Sequence, residues 1–252
     1  TLIILFVYNF DSSKIGLKLK SKVKKKIFTF WEPINKIPGY ILLCIKTWKA
    51  FLPEYDVQIL DYNRVKNYIG DYIFSKIISK NMTLPIQADA IRIALLKKFG
   101  GIWMDPDTII TNGDFLKNLE KYELVMIGEK DKQHVGFIFA SNNSSIINCW
   151  FNEVIRRVKI VKQYEQILKK RKRVKWNYLG NGIIDKLLKQ DIHNNKFFRL
   201  DKNKLNVFPE ISFFENSVLN EVEKYKKFYF QKGDAKLIIK SVIICKKNSR
   251  IA

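Results

Sequence analysis

An α/β domain is the fold class that the amino-acid sequence predicts, and three observations support it. The chain has 252 residues, of which 47% are hydrophobic, and this suits one large core better than two small ones. A strand pattern, a short amphipathic helix and a second strand pattern follow one another between residues 26 and 62. A long apolar helix then leads through two glycines into another short strand. This order predicts a single domain with a mixed, mostly parallel sheet flanked by helices.

The first half of the domain has the clearer pattern. Its predicted elements are a strand at 26–31, a helix at 40–51, a strand at 55–62, a helix at 86–99 and a strand at 102–104. The strands are rich in β-branched and aromatic residues, and Pro53 stops the first helix. Thr83, with Pro85 in the first turn, predicts the start of the second helix, and Gly100 predicts its end.

The second half is less regular. Its predicted elements are strands at 122–128 and 135–141, an amphipathic helix at 146–168, a helix entered through the loop at 179–182 and a strand at 236–245. From residue 197 onward, aromatic and lysine-rich segments alternate. The domain is therefore expected to occupy residues 27–252.

Residues 1–26 are expected to form an arm that precedes this domain. Ten mostly apolar residues are followed by a lysine-rich segment in which Ile15, Leu19 and Val23 recur at four-residue spacing. An amphipathic helix on an anionic membrane has this pattern, and so has a solvated basic arm. The basic residues follow the apolar run, which is the wrong order for a secretory signal. Three widely separated cysteines indicate a reducing compartment. These features favour a cytoplasmic protein that is peripheral on the inner face of the cell membrane.

The formal net charge of +22 attracts polyanions such as nucleotide phosphates, anionic lipids and nucleic acids. A bias in the base composition of the coding DNA also explains lysine enrichment. A nucleic-acid-binding protein is the main alternative from another functional class, and a metal-dependent nuclease is a further one. The sequence contains no helix-turn-helix spacing, zinc-ligand spacing or RNP-like strand, so no specific nucleic-acid partner is expected.

Two aspartates follow the strand at 102–104, at positions 105 and 107. Ligands of open α/β sheets bind beyond the carboxyl ends of strands. Alternate residues of a strand share a face, so the carboxylates of Asp105 and Asp107 are expected to point toward one position. Oxygen ligands of this kind suit Mn²⁺ or Mg²⁺ together with a phosphate. A solvated charge pair is the alternative. A class of phosphatases also has D-x-D after a strand, but these enzymes place a Thr or Val two positions after the second Asp. In this chain Thr108 follows the second Asp directly, so a phosphatase of that class is not expected.

Asp89 and Arg92 lie three residues apart on the helix before these aspartates and hence on one face. One interpretation is a local ion pair on an otherwise apolar helix. The other places both at the edge of the same pocket, where Asp89 binds a ribose or base edge and Arg92 supports it or faces phosphate.

Four sequence features, taken in order, resemble the capsular-polysaccharide-synthesis glycosyltransferases, relatives of the family 32 enzymes that include yeast initiating mannosyltransferases. They are a tryptophan ending the first strand, a P-x-Y strand, an A-D-x-x-R helix and the turn G-G-I-W-x-D-x-D, which lie between residues 26 and 112. The resemblance implies a GT-A fold, which is Rossmann-like. It also implies transfer of a sugar from a nucleotide-sugar donor with retention of configuration, in surface polysaccharide synthesis. A UDP-sugar is favoured over a GDP-sugar, and the acceptor is a glycan or a lipid-linked glycan.

The resemblance also assigns roles to residues of this chain. Asp105 and Asp107 would hold Mn²⁺ or Mg²⁺ on the donor diphosphate and so stabilise the leaving group. The other donor-binding candidates are Phe30, Trp31, Asp61, Asp89 and Arg92. Gly180 and Asn181 would lie near the sugar and the acceptor. No residue is singled out as a nucleophile or a base.

The C-terminus departs from the family pattern. Relatives often end in a His- or Asn-Ser-Trp segment that contributes to the metal site, whereas this chain has Asn248-Ser249 without His or Trp. His134 and His193 are possible substitutes, although each also reads as an ordinary surface or core histidine. A catalytically degenerate glycosyltransferase is therefore a third functional alternative.

Overall fold

The protein is described from a computed structural model, which covers residues 25–79, 81–110, 113–116, 118–129, 132–169, 172–189 and 196–201. The predicted strand at 236–245, His193 and the segment Asn248-Ser249 lie outside these residues. Of the predicted arm, only Lys25 and Lys26 are described, and both belong to the first strand.

The elements follow one another in the order that the sequence predicts, with a few additions. They are β1 Lys25–Phe30, α1 Gly39–Phe51, β2 Tyr55–Leu60, α2 Tyr62–Ile69, α3 Asp71–Ile77, α4 Leu84–Phe99, β3 Gly101–Met104, β4 Leu124–Glu129, β5 Lys132–Ala140, α5 Ser145–Leu168, α6 Asn181–Leu187 and β6 Phe197–Asp201. The helices α2 and α3 and the strand β6 were not predicted.

The described strands form a six-stranded sheet in the order β2-β1-β3-β5-β4-β6. β1 is parallel to β2 and β3, and β6 is parallel to β4. β5 is antiparallel to β3 and β4. Among the described strands, three of the five pairs are therefore parallel, and the prediction of a mixed, mostly parallel sheet flanked by helices is confirmed.

Helices cover both faces of this sheet. Alternate residues of β1 face opposite ways, so Ile27 packs with α1 and Phe28 packs with α4 and α5. α4 is buried along most of its length, which explains why it is apolar nearly all round. The parallel strands β1, β2 and β3 end at one edge of the sheet, and the candidate site lies there.

The backbone requires glycine at the two positions that join α4 to β3, the second of which is the first residue of the strand. Gly100 has φ +63° and Gly101 has φ +92°, the left-handed region that favours glycine. A Cβ on Gly101 would also lie 2.7 Å from the carbonyl oxygen of Lys26 in β1. The turn therefore brings β3 against β1 and sets the position of the aspartates that follow.

Candidate active site

Asp105 is the first residue after β3, and its backbone is fixed from two sides. Its N–H donates to the carbonyl of Gly136 in β5 at 2.8 Å, and its own carbonyl accepts from the Thr108 N–H at 3.0 Å. Residues 105–108 thus form a turn and do not continue the strand. Asp105 still lies on the same side as Trp103, but the turn means that strand alternation does not place Asp107, so the convergence of the two carboxylates on one position stays a prediction.

The two carboxylates have different surroundings. Trp103 Nε1 donates to Asp105 Oδ1 at 2.8 Å, since both side chains lie on the α4 side of the sheet. Asp107 is exposed. Burial raises the pKa of the Cys44 thiol in α1 to about 12, and the negative charge of Asp107 adds to this increase. Asp107 therefore lies close enough to α1 for its charge to reach that helix.

Arg92 connects the predicted donor-site residues. It is only 5% exposed, and its guanidinium lies 4.9 Å from the centre of the Trp103 ring. Its Nη2 is 3.2 Å from Asp89 Oδ1 and 3.4 Å from Asp105 Oδ1, and its Nη1 donates to the carbonyl of Val135. The two interpretations of Asp89 and Arg92 are thus compatible, because the local ion pair also extends to Asp105.

Asp89 lies against the loop that the resemblance assigned to the sugar. Its carboxylate accepts from the Gly180 N–H, and a Cβ on Gly180 would lie 2.5 Å from Asp89 Oδ2. Burial raises the pKa of Asp89 to about 6, and the charge of Asp105 adds to the increase; Arg92 and the Gly180 N–H oppose it. The structure therefore brings together Asp89, Arg92, Asp105 and Gly180, which lie far apart in the sequence.

The loop before α6 is held against α5 and β5. Trp150 Nε1 donates to the carbonyl of Leu179 at 2.8 Å, and Arg157 donates to the carbonyls of Tyr178 and Gly182 at 2.6 and 3.1 Å. The Asn181 amide donates to the carbonyl of Gln133 in β5. These contacts fix the backbone of Gly180 and Asn181 beside Asp89, while a role of Asn181 toward sugar or acceptor stays a prediction.

Phe30, Trp31 and Asp61 have structural contacts of their own. Phe30 is buried, with its ring 5.2 Å from that of Tyr62. The Trp31 N–H donates to the Leu60 carbonyl, and its half-buried ring packs on the α1 side of the sheet. Asp61 caps α2 by accepting from the Arg64 N–H at 2.8 Å, which explains an aspartate at that position without a ligand. Donor-binding roles for these three residues stay predictions.

His134 lies closer to the site than its sequence context indicates. It precedes Gly136 in β5, and its Nδ1 accepts from the Gly136 N–H at 3.2 Å. A Cβ on Gly136 would lie 2.7 Å from the His134 ring and 3.0 Å from Asp105 Oδ2, so the ring and this carboxylate oxygen flank the same glycine. The pairing of β3 with β5 causes this proximity, and no sequence motif signals it.

Comparison with protein families shows to which family the chain belongs. A family model described as capsular polysaccharide synthesis protein matches residues 7–203, which is most of the chain. The chain belongs to the capsular polysaccharide synthesis family. This membership confirms the family named by the resemblance and the predicted class of enzyme, a glycosyltransferase. A relation to family 32 is not confirmed and stays a prediction.

Two further comparisons concern individual proteins. No protein with a curated description matches the chain in sequence. Among solved structures, a chain described as PaToxG glycosyltransferase is similar over 86% of this chain and 84% of its own, with 17% identity and a TM-score of 0.45. Within the described part of this capsular polysaccharide synthesis protein, no helix is both long and apolar enough to cross a membrane.

The oxygen atoms available near Asp105 are compatible with a divalent cation. Trp103 and Arg92 occupy Oδ1 of Asp105, whereas Oδ2 is the oxygen beside Gly136. The described residues contain no group of three or more His, Cys, Asp or Glu side chains that would hold a metal ion by themselves. Mg²⁺ and Mn²⁺ usually take one or two carboxylates and complete their coordination with waters and substrate phosphates. The residues present fit such a shared site.

Substitution of Gly180 by alanine is expected to weaken donor binding at least tenfold and to destabilise the protein by about 1–3 kcal/mol. The added methyl group would displace the Asp89 carboxylate, which is packed against Arg92. Titration calorimetry with the nucleotide and urea denaturation measure the two effects. Gly39→Ala is the control, since a Cβ there has no neighbour within 4 Å. Equal nucleotide affinity in the Gly180 and Gly39 variants would show that the loop has no influence on the donor site.

The network that supports this loop is expected to weaken in acid. Hydrogen bonds from Arg156, and then from Arg157, hold the pKa of Glu153 at about 2, although partial burial opposes them. A carboxylate whose pKa is lowered in the folded protein contributes its full stabilisation at pH values above its ordinary pKa, which is 4.5 for Glu153. That contribution decreases as the pH falls through about 2. Glu153→Gln is therefore expected to cost about 1 kcal/mol at pH 6 and much less at pH 2, as measured by urea denaturation. A cost that persists unchanged at pH 2 would contradict this.

Proposed function

We propose that this protein transfers a sugar from a nucleotide-sugar donor, with a UDP-sugar favoured over a GDP-sugar, to a glycan or lipid-linked acceptor. The transfer is metal-dependent and retains the anomeric configuration. It serves surface polysaccharide synthesis at the inner face of the cell membrane. Membership of the capsular polysaccharide synthesis family supports the class of enzyme and the kind of product. The metal, the donor, the acceptor and the stereochemistry are our proposals.

The contact of Arg92 with both Asp89 and Asp105 is the observation that carries this proposal. It connects the A-D-x-x-R helix to the D-x-D turn at the carboxyl end of β3, where ligands of α/β sheets bind. A carboxylate held by a buried arginine and a backbone N–H is kept in one orientation. Asp89 is thus suited to accept hydrogen bonds from donor hydroxyl groups.

Asp105 and Asp107 would together bind the divalent cation at the donor diphosphate. Arg92 and Trp103 fix Asp105 through Oδ1 and leave Oδ2 for a cation, while exposed Asp107 would approach the same cation from the other side of the turn. A bound Mn²⁺ or Mg²⁺ would neutralise charge on the leaving diphosphate. The Gly180–Asn181 backbone, held beside Asp89, would lie on the sugar side of the donor and limit the directions from which an acceptor arrives.

Hydrolysis and transfer assays with a panel of UDP- and GDP-sugars test the proposal. We expect release of one nucleotide in the presence of Mn²⁺, loss of that activity in EDTA, and a first-formed sugar with the anomeric configuration of the donor by NMR. Asp71→Asn is the control for substitutions of the D-x-D aspartates, since Asp71 is an exposed carboxylate at the start of α3, and it is expected to keep the wild-type activity. Absence of turnover for every donor, with or without metal, would contradict the proposed function.

A further inference from the structure

The end of α5 and the loop after it expose an unusual set of apolar side chains. Tyr164, Ile167 and Leu168 share one helix face by their spacing, and Ile167 and Leu168 are 76% and 49% exposed. Trp176 in the following loop is 73% exposed. Single exposed apolar residues are ordinary on protein surfaces, but four within 13 residues form a patch of the kind that contacts a partner.

The charge of the same segment is strongly positive. Residues 166–176 contain six lysines and arginines and no acidic residue. Glu165, which precedes them, is engaged within the protein, because it accepts from Ser79 Oγ at 3.2 Å and from the Lys172 N–H at 3.4 Å. The patch thus combines aliphatic side chains and an exposed tryptophan with a segment rich in basic residues.

This surface runs directly to the candidate active site. Lys172 Nζ lies 5.0 Å from the centre of the Tyr164 ring, and Leu179 is hydrogen-bonded to Trp150. The loop therefore runs back along α5 over the 14 residues between Tyr164 and Trp150, about 21 Å of helix. Trp176 precedes Gly180 by four residues, which span at most about 14 Å.

We propose that this surface docks on an anionic lipid bilayer and thereby presents a lipid-linked acceptor to the site at Gly180. The docking surface consists of four apolar side chains and four basic ones, which are Tyr164, Ile167, Leu168, Trp176, Lys169, Lys172, Arg173 and Lys175. Tryptophan favours the interface between headgroups and acyl chains, and lysine and arginine bind anionic headgroups. Exposed isoleucine and leucine gain from a bilayer but have no comparable partner in nucleic acid, which favours a membrane over RNA or DNA. The assignment of the acceptor depends on the proposed function, whereas docking itself does not.

Tryptophan fluorescence tests the docking, because the five tryptophans differ sharply in exposure. Trp48, Trp103 and Trp150 are at most 1% exposed and Trp31 is half-buried, so a brominated lipid reports chiefly on Trp176. With vesicles of equal parts phosphatidylglycerol and brominated phosphatidylcholine, we expect quenching and a blue shift in the full-length protein. The quenching and the blue shift are expected to be lost in Trp176→Phe. They are also expected to be absent with vesicles of brominated phosphatidylcholine alone, which carry no net charge.

Matched variants separate this surface from general charge attraction. Arg173→Ala/Lys175→Ala is expected to weaken vesicle binding about tenfold in a sedimentation assay. Lys46→Ala/Lys49→Ala removes the same charge from exposed positions of α1, on the other face of the sheet, and is expected to weaken it less than twofold. Leu168→Ser is likewise expected to weaken vesicle binding more than Leu42→Ser, the matched control, since Leu42 is 42% exposed on α1. The predicted N-terminal arm is present in every variant, so its contribution is common to all.

Three results would overturn the inference. They are unquenched Trp176 at saturating vesicle concentration, equal weakening by the α1 variants, and binding of an oligonucleotide that is tighter than vesicle binding and equally sensitive to Trp176→Phe. Vesicle binding needs no catalytic activity. Its failure in a protein that still binds nucleotide would therefore count against the docking surface alone, and the proposed function would stand.

Discussion

Arg92→Met is expected to destabilise the protein by about 3–5 kcal/mol and to abolish sugar transfer. The substitution keeps an unbranched apolar side chain but removes the guanidinium that lies between Asp89 and Asp105. Asp89 is almost fully buried, and an uncompensated buried charge is costly. The lost hydrogen bond to the carbonyl of Val135 adds to the effect. Urea denaturation measures the stability, and donor turnover at a temperature where both proteins are folded measures the activity.

Two further variants make the Arg92 result interpretable. Arg156→Met breaks an ion pair of a 61% exposed arginine with Glu153 and is expected to have only a small effect on stability. Arg92→Lys keeps the charge but presents a single nitrogen, which cannot replace a planar group with contacts on several sides, so an intermediate loss is expected. A urea midpoint in Arg92→Met equal to that of Arg156→Met would refute the central role of the network.

Asp105→Asn is expected to lower donor turnover at least about 10²–10³-fold, the scale of losing a main electrostatic contact to the leaving group. The amide keeps the shape of the side chain but loses the charge that faces Arg92 and the proposed cation. A decrease in stability of about 1–2 kcal/mol should accompany the loss of activity, because the ion pair with Arg92 is partly buried.

Asp107→Asn separates the two functions of the D-x-D turn. Asp107 is exposed, so its variant is expected to lose metal-dependent turnover with a smaller change in stability than Asp105→Asn. Steady-state assays over a range of Mn²⁺ concentrations and thermal melts of both variants give the comparison. Wild-type turnover by Asp105→Asn at any Mn²⁺ concentration would exclude the proposed role of that carboxylate.

Apart from α2 and α3, the strands and helices up to β3 could be predicted because each has a strong local pattern. The apolar α4 and the glycines after it specify a buried helix and a tight turn into β3, which the structure contains. α2 and α3 were missed because they are short and follow one another closely. A signal for α2 was present in Asp61, a helix cap that was interpreted only as a donor-site residue.

The candidate site could be predicted in part. Strand-end placement and helical spacing supplied Asp105, Asp89 and Arg92, and the resemblance added Gly180. The structure brings these residues into contact. Trp103 was missed, although its position two residues before Asp105 on the same side of the chain is a usable signal. Val135 could not be found, and His134 was named only as a possible substitute for a missing histidine, because the register between β3 and β5 brings them to Arg92 and Asp105.

Calorimetric titration of UDP and GDP with and without Mn²⁺ tests most directly whether the aspartates of the D-x-D turn hold a nucleotide diphosphate through a cation. The wild-type protein and Asp107→Asn are titrated under the same conditions. Our account predicts that one nucleotide, UDP by preference, binds the wild-type protein only with Mn²⁺ and that the binding is lost in the variant. Nucleotide binding that is unchanged by metal removal and by Asp107→Asn would contradict it.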